Sequence, residues 1–184
     1  WMNADSLSSP RQWKRIFHTG SIQLAFELSN FGYIFADGKR IRFAYPNENV
    51  NNWVHYSVVR KDGQLGLFRN GAVVQLELET SSQGVYFAAA NAISLPANLA
   101  PSNSSIEIGR QTSEASTVFD GELADVHFVK GRALRTPGSA FTTPRTSSFP
   151  VQGTVFLMKP DPTSIAVDAS GTGKTLSMSN LTYS

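Results

Sequence analysis

The chain contains no cysteine. That excludes a disulfide scaffold and a cysteine-ligated metal, and it leaves the redox compartment open. Charge is also sparse: Asp, Glu, Lys and Arg make up 16% of 184 residues, with a formal net charge of +2. The basic residues are scattered along the sequence, so it carries no nucleic-acid footprint, which needs clustering on one face. No apolar run approaches a membrane-spanning length and there is no signal-peptide pattern, so membrane insertion is not expected. Helical periodicity is nearly absent; the best candidate is one short turn near residues 131–134. There is no Gly-x-Ser-x-Gly elbow of a serine hydrolase.

A phosphate-binding loop is only half present. In "DASGTGKT", Gly173-Lys174-Thr175 fits the end of the motif, but Asp168 stands where the first glycine belongs. A carboxylate there would face a polyanion. The loop must also open a helix whose N-terminus meets the phosphate. The remaining "TLSMSNLTYS" has no apolar stripe at helical spacing. The stretch reads as a surface turn.

What the chain does have is a period of two. Ile22, Leu24, Phe26 and Leu28 share one face, with Gln23 and Glu27 on the other. Ile41, Phe43 and Tyr45 alternate with Arg40 and Arg42, Val74, Leu76 and Leu78 with Gln75, Glu77 and Glu79, and Ala124, Val126 and Phe128 with Asp125 and His127. Such alternation marks half-buried strands of antiparallel sheets. Asp37-Gly38, Asp62-Gly63 and Asn70-Gly71 fall between these runs and suit tight hairpins. The reading is a meander of strands at 32–36, 40–45, 53–60, 65–69 and 73–79. Further strands are expected at 106–109, 119–129, 154–159 and 176–183. Many short strands with regular turns imply an all-β sandwich or barrel. Residues 81–105 form a long connection, and long loops in compact domains are usually functional or disordered. Residues 136–150, rich in Pro, Ser and Thr, read as an extended strap.

From "WVHYSVVRKDGQLGLFRNG" (53–71), through "IEIGR" (106–110), to "FDGELADVHFVKGRAL" (119–134), the sequence resembles the laminin-G-like, concanavalin-A-like jelly-roll family. It departs from the family pattern at Val54, where His is more usual, and in the length of 81–105. The later "FTTPRTSSFP" and "VFLMKPDP" resemble continuations of such modules in phage and large-virus structural proteins. The resemblance implies a two-sheet antiparallel jelly-roll β-sandwich with three regions. Residues 1–135 would be the core, with its first strand apparently missing and Trp1 inside a strand. Residues 136–152 would be the strap, and 153–184 would complete the sandwich or start a second module.

The candidate chemistry is sparse. His18, His55 and His127 have no partners at metal-ligand spacing, and no zinc cluster is visible. The resemblance leaves calcium at the sandwich rim as an unplaced option, with Asp37, Asp62 and Asp120 in turns; calcium wants six or more oxygens. Glu122 and Asp125 are the nearest thing to a hydrolase pair. Three residues apart on one strand, they would point to opposite faces. Trp53 opens the central strand and is expected in the core. Aromatics near loops or strand ends are the best ligand-binding candidates: Trp13, Tyr33, Tyr45, Tyr86 and Phe87. The expectation is a non-enzymatic virion structural or adhesion module, a capsid decoration, fibre or tail appendage. It would need no cofactor and would bind other virion proteins, copies of itself or cell-surface glycans through rim loops. The alternative is an extracellular carbohydrate-binding domain, with a glycoside hydrolase third.

Overall fold

A computed structural model describes residues 2–4, 14–19, 22–27, 31–45, 52–81, 84–95, 106–109, 119–143, 150–161 and 164–172. Those residues form fifteen strands and no helix. In chain order they are β1 (Met2–Ala4), β2 (Lys14–His18), β3 (Ile22–Glu27), β4 (Phe31–Ala36), β5 (Lys39–Ala44), β6 (Tyr56–Lys61), β7 (Gln64–Arg69), β8 (Ala72–Val74), β9 (Glu77–Leu78), β10 (Ile93–Ser94), β11 (Glu107–Ile108), β12 (Gly121–Leu123), β13 (Val126–Val129), β14 (Thr154–Asp161) and β15 (Ser164–Asp168). Every pairing is antiparallel.

The largest sheet has six strands, in the order β11-β2-β3-β4-β5-β9. A second sheet centres on β7, with β6 on one side and β8 and β10 on the other. A two-stranded sheet, β1-β12, is tied to the residue two before β6: Met2 and Val54 exchange backbone hydrogen bonds at 2.9 and 2.7 Å. The fourth sheet is β13-β14-β15.

One hydrophobic cluster draws on the first three sheets. Leu24, Phe26, Ile34, Ile41 and Phe43 come from the six-stranded sheet, Leu65 and Leu67 from β7, and Met2 and Ala4 from β1. These are the inward residues of the alternating runs. Fully burying a Leu or Phe side chain is worth about 1.5–3 kcal/mol relative to leaving it exposed, so this face fixes the register of each strand. The Phe26 ring meets the edges of Phe43 and Tyr45 at 5.7 and 5.0 Å. The three hairpin turns adopt the conformation their residues favour. Asp37-Gly38, Asp62-Gly63 and Asn70-Gly71 all have positive φ at both positions, the requirement of a type I′ turn.

Two expected strands are each divided. The run 73–79 splits into β8 and β9 in different sheets, the chain crossing at Gln75 and Leu76. The run 119–129 splits into β12 and β13 at Asp125, whose φ is +51°. The short turn expected near 131–134 is a bend. Residues 81–105 are not simply a loop: β10 lies within them, Tyr86 bridges to Glu79, and Ala90 bridges to Leu76. The strand expected at 176–183 lies outside the described residues.

The segment 136–143 packs on the outer face of β7 and on the turn that follows it. Phe141 packs against the fully buried Phe68 at 5.1 Å and donates its N–H to the Gly71 carbonyl at 2.9 Å. Glycine is required beneath it. A Cβ on Gly66 would lie 3.0 Å from Pro137 Cα, and one on Gly71 only 1.9 Å from the Phe141 carbonyl oxygen.

Candidate interaction surface

The outer face of the six-stranded sheet carries the aromatic and charged residues of its alternating strands. Phe31, Tyr33 and Phe35 of β4 stand beside Arg40 and Arg42 of β5, and the next strand adds Glu77 and, just past its end, Glu79. The Arg40 guanidinium sits 4.5 Å from the Tyr33 ring centre and 3.6 Å from the Glu79 carboxylate. Arg42 lies over Phe31 at 4.7 Å and over Tyr86 at 3.8 Å, and its Nε donates to Glu77. Glu77 beside it holds the Arg42 pKa above the usual guanidinium value. The Tyr86 hydroxyl is raised as well, chiefly by burial, and lies within hydrogen-bonding reach of Tyr33. Cation–π and ion-pair contacts of this kind each contribute up to about 1 kcal/mol. Their shared effect is positional.

That effect is to fasten the hairpin after β9. Its backbone closes through Thr80 N–H to Val85 O (2.8 Å) and Phe87 N–H to Leu78 O (2.9 Å), and Glu79 Oε1 accepts from Gly84 N–H at 2.9 Å. Tyr86 turns in under Arg42. Its neighbours on either side, Val85 and Phe87, turn out: they are 53% and 59% exposed, the most exposed large apolar residues described. A pinned backbone displays two apolar side chains on the edge of the sheet.

The five aromatic candidates therefore fare differently. Phe87 is exposed, as its position near a loop suggests. Tyr86 is half-buried and its ring face is taken by Arg42. Tyr33 is buried, with Arg40 over its ring and Phe35 stacked 6.3 Å away, so it is not an open strand-end aromatic. Tyr45 is in the core at 2% exposure; it shares the inward face of Ile41 and Phe43, and that parity outweighs its place at a strand end. Trp13 lies outside the described residues. Trp53, expected in the core, is 46% exposed, because pairing begins at Val54 and not at Trp53.

The other candidates are spoken for locally. His18 Nδ1 lies 3.1 Å from Glu107, and His127 Nε2 lies 2.9 Å from the Thr154 hydroxyl. Burial lowers the His127 pKa. Burial, with a lesser contribution from Arg135 and other positive charge, pushes His55 down to about 4. Among the described residues no three His, Asp or Glu side chains gather as metal ligands would. Glu122 lies in β12 opposite Asn3, whereas Asp125 lies beyond the strand's end at positive φ. The one-strand geometry expected for that pair does not exist. The Asp168 carboxylate is used by its own turn: Oδ1 accepts from Leu157 N–H (3.1 Å) and Ser170 N–H (3.0 Å), and Oδ2 from Ser170 Oγ (2.8 Å).

No family model, no curated protein and no solved structure matches this chain. The functional reading rests on the residues themselves.

Proposed function

We propose that the chain is a non-enzymatic jelly-roll module, two antiparallel sheets packed face to face in the concanavalin-A-like manner, that makes contact through the edge displaying Val85 and Phe87. The observation that carries this reading is the pairing of opposite fates in adjacent residues: Tyr86 is locked beneath Arg42 while Phe87 is held in solvent. An aromatic ring on a backbone already held by hydrogen bonds, as Phe87 is by Leu78, loses less conformational entropy on binding than one on a free loop, which is the property of interface anchors and of sugar-stacking platforms. Two features support the sandwich. Residues of the six-stranded and β7-centred sheets share a single core cluster, and the chain crosses between those sheets at Gln75–Leu76. In this proposal the module belongs to a virion, as a capsid, fibre or tail component binding glycans or neighbouring subunits; the sequence resemblance is what supports that setting.

The test is sedimentation velocity over a concentration series, run beside a glycan array. Concentration-dependent association, or capture by an array glycan, supports the reading. A chain that stays monomeric and binds no glycan overturns it.

A further inference from the structure

A second feature lies on the loop between β13 and the 136–143 segment. It has the sequence Lys130-Gly131-Arg132-Ala133-Leu134-Arg135, and all three cations are exposed. Read along the chain, they are three among scattered basic residues. Arg40 and Arg42 are paired with Glu79 and Glu77, and His18 with Glu107, whereas Lys39 and Lys61 stand exposed but singly at separate hairpins. Among the described residues none of the three loop cations forms a salt bridge. The loop is also clamped at both ends. Lys130 N–H donates to the Gly153 carbonyl at 2.7 Å. At the other end the Arg135 guanidinium stacks 4.7 Å above the Phe141 ring and donates from Nη1 to the Leu134 carbonyl at 2.8 Å. Phe141 is in turn seated on Phe68 and bonded to Gly71. Three positive charges within six residues, on a held backbone and with no ion pair among the described residues, make this loop a local positive field that favours an anion.

We propose that residues 130–135 form an anion-binding site for an acidic glycan, a polysaccharide bearing sulfate or carboxylate groups. Arg132 and Arg135 supply planar forks of N–H donors that match such groups two bonds at a time, and Lys130 adds a mobile point charge. Nucleic acid is the poorer fit on three grounds. Three cations are few for a phosphate-backbone footprint, which commonly makes six to ten contacts. The chain's net charge of +2 gives little long-range field. The ring beside the loop, Phe141, already carries Arg135 on its face, so it offers no open stack for a base. The choice of a glycan as the anion's source rests on the adhesion reading above; the cation cluster itself does not.

The experiment measures binding of the whole chain to dextran sulfate, to polygalacturonate, to neutral dextran and to a DNA oligonucleotide, at low and at physiological salt. The expected result is salt-sensitive binding to dextran sulfate, polygalacturonate or both, and none to neutral dextran. Which of the two binds tells sulfate from carboxylate. Lys130→Gln combined with Arg132→Gln should weaken that binding by about tenfold or more, the scale of losing two charge-assisted contacts. Lys39→Gln combined with Lys61→Gln removes the same charge from two other turns and should leave binding unchanged. Thermal melts of both double variants should overlay the wild type, since all four side chains are exposed. The proposal is overturned if neither acidic polymer binds, if both double variants lose binding equally, or if DNA binds more tightly than either polysaccharide. Loss of this site with association through Phe87 intact would remove only the loop; the reverse would remove only the Phe87 contact.

Discussion

The guanidinium of Arg42 lies 3.8 Å from the centre of the Tyr86 ring, with the Phe31 ring 4.7 Å away and Glu77 bonded to its Nε. One cation thus ties β4, β5, β9 and the following hairpin together on the outer face of the six-stranded sheet. Arg42→Met keeps length and loses charge. It should cost less than about 1 kcal/mol of global stability, because the contacts it removes are partly exposed. The local consequence should be larger. Exchange of the Phe87 amide, which bonds to Leu78, should speed up markedly while core amides of β4 hold their rates. Hydrogen exchange read by NMR decides it, and an unchanged Phe87 rate would mean that the hairpin does not depend on this cation.

Two glycine substitutions separate backbone strain from the contact made by the 136–143 segment. Gly38 has φ +67° and open space around it, so Gly38→Ala should cost about 1–2 kcal/mol, the penalty for a side chain in the left-handed region. Gly71 has φ +79° and also the Phe141 carbonyl oxygen 1.9 Å from any added Cβ. Gly71→Ala should therefore cost at least about 2 kcal/mol more than Gly38→Ala, or expel the segment. Urea denaturation of both variants makes the comparison. Equal costs would show that the segment does not press on this turn.

Stability should depend on pH through His55. Its folded pKa is pushed from 6.5 to about 4, first by burial and then by nearby positive charge that includes Arg135. Between those values the unfolded chain binds the proton and the folded chain does not. Stability from this group is thus fully present above pH 6.5, falls as pH drops toward 4, and levels off below that. The Phe141 ring, with its edge toward His55 at 6.0 Å, should loosen in the same window. His55→Gln should flatten this part of the curve. Urea midpoints across the range supply the measurement, and an identical pH slope in wild type and variant would refute it.

Much of the fold was legible because its signals are local. The Asp-Gly and Asn-Gly turns could be read from two residues each, since few others accept positive φ twice in succession. Ile22, Leu24 and Phe26, and Ile41 and Phe43, declared their inward face by parity alone. Parity also hid something. Val74, Leu76 and Leu78 keep their alternation unbroken while the chain passes from the β7-centred sheet to the six-stranded one, because residues from both sheets join one core. A sheet change that preserves inwardness leaves no mark in the sequence. Tyr45 shows the opposite: its place at a strand end suggests exposure, but its parity with Ile41 and Phe43 turns it into the core. The covering of Tyr33 and Tyr86 by arginines depends on cross-strand register, Tyr33 opposite Arg42 and Arg42 opposite Glu77, which no single segment encodes. The exposure of Phe87 follows from its place beside a loop; that its neighbour Tyr86 is pinned under Arg42 does not show in the sequence.

The most direct test of the account is Phe87→Ser. Sedimentation velocity and a glycan array, run on wild type and variant side by side, read the contact, and a thermal melt reads the fold. Whichever contact the wild type makes, with itself or with a sugar, should weaken about tenfold or more while the melt stays within a degree or two, because a 59% exposed ring contributes little to the core. Full contact retained by the Ser variant, or a wild type that makes no contact at all, would contradict it.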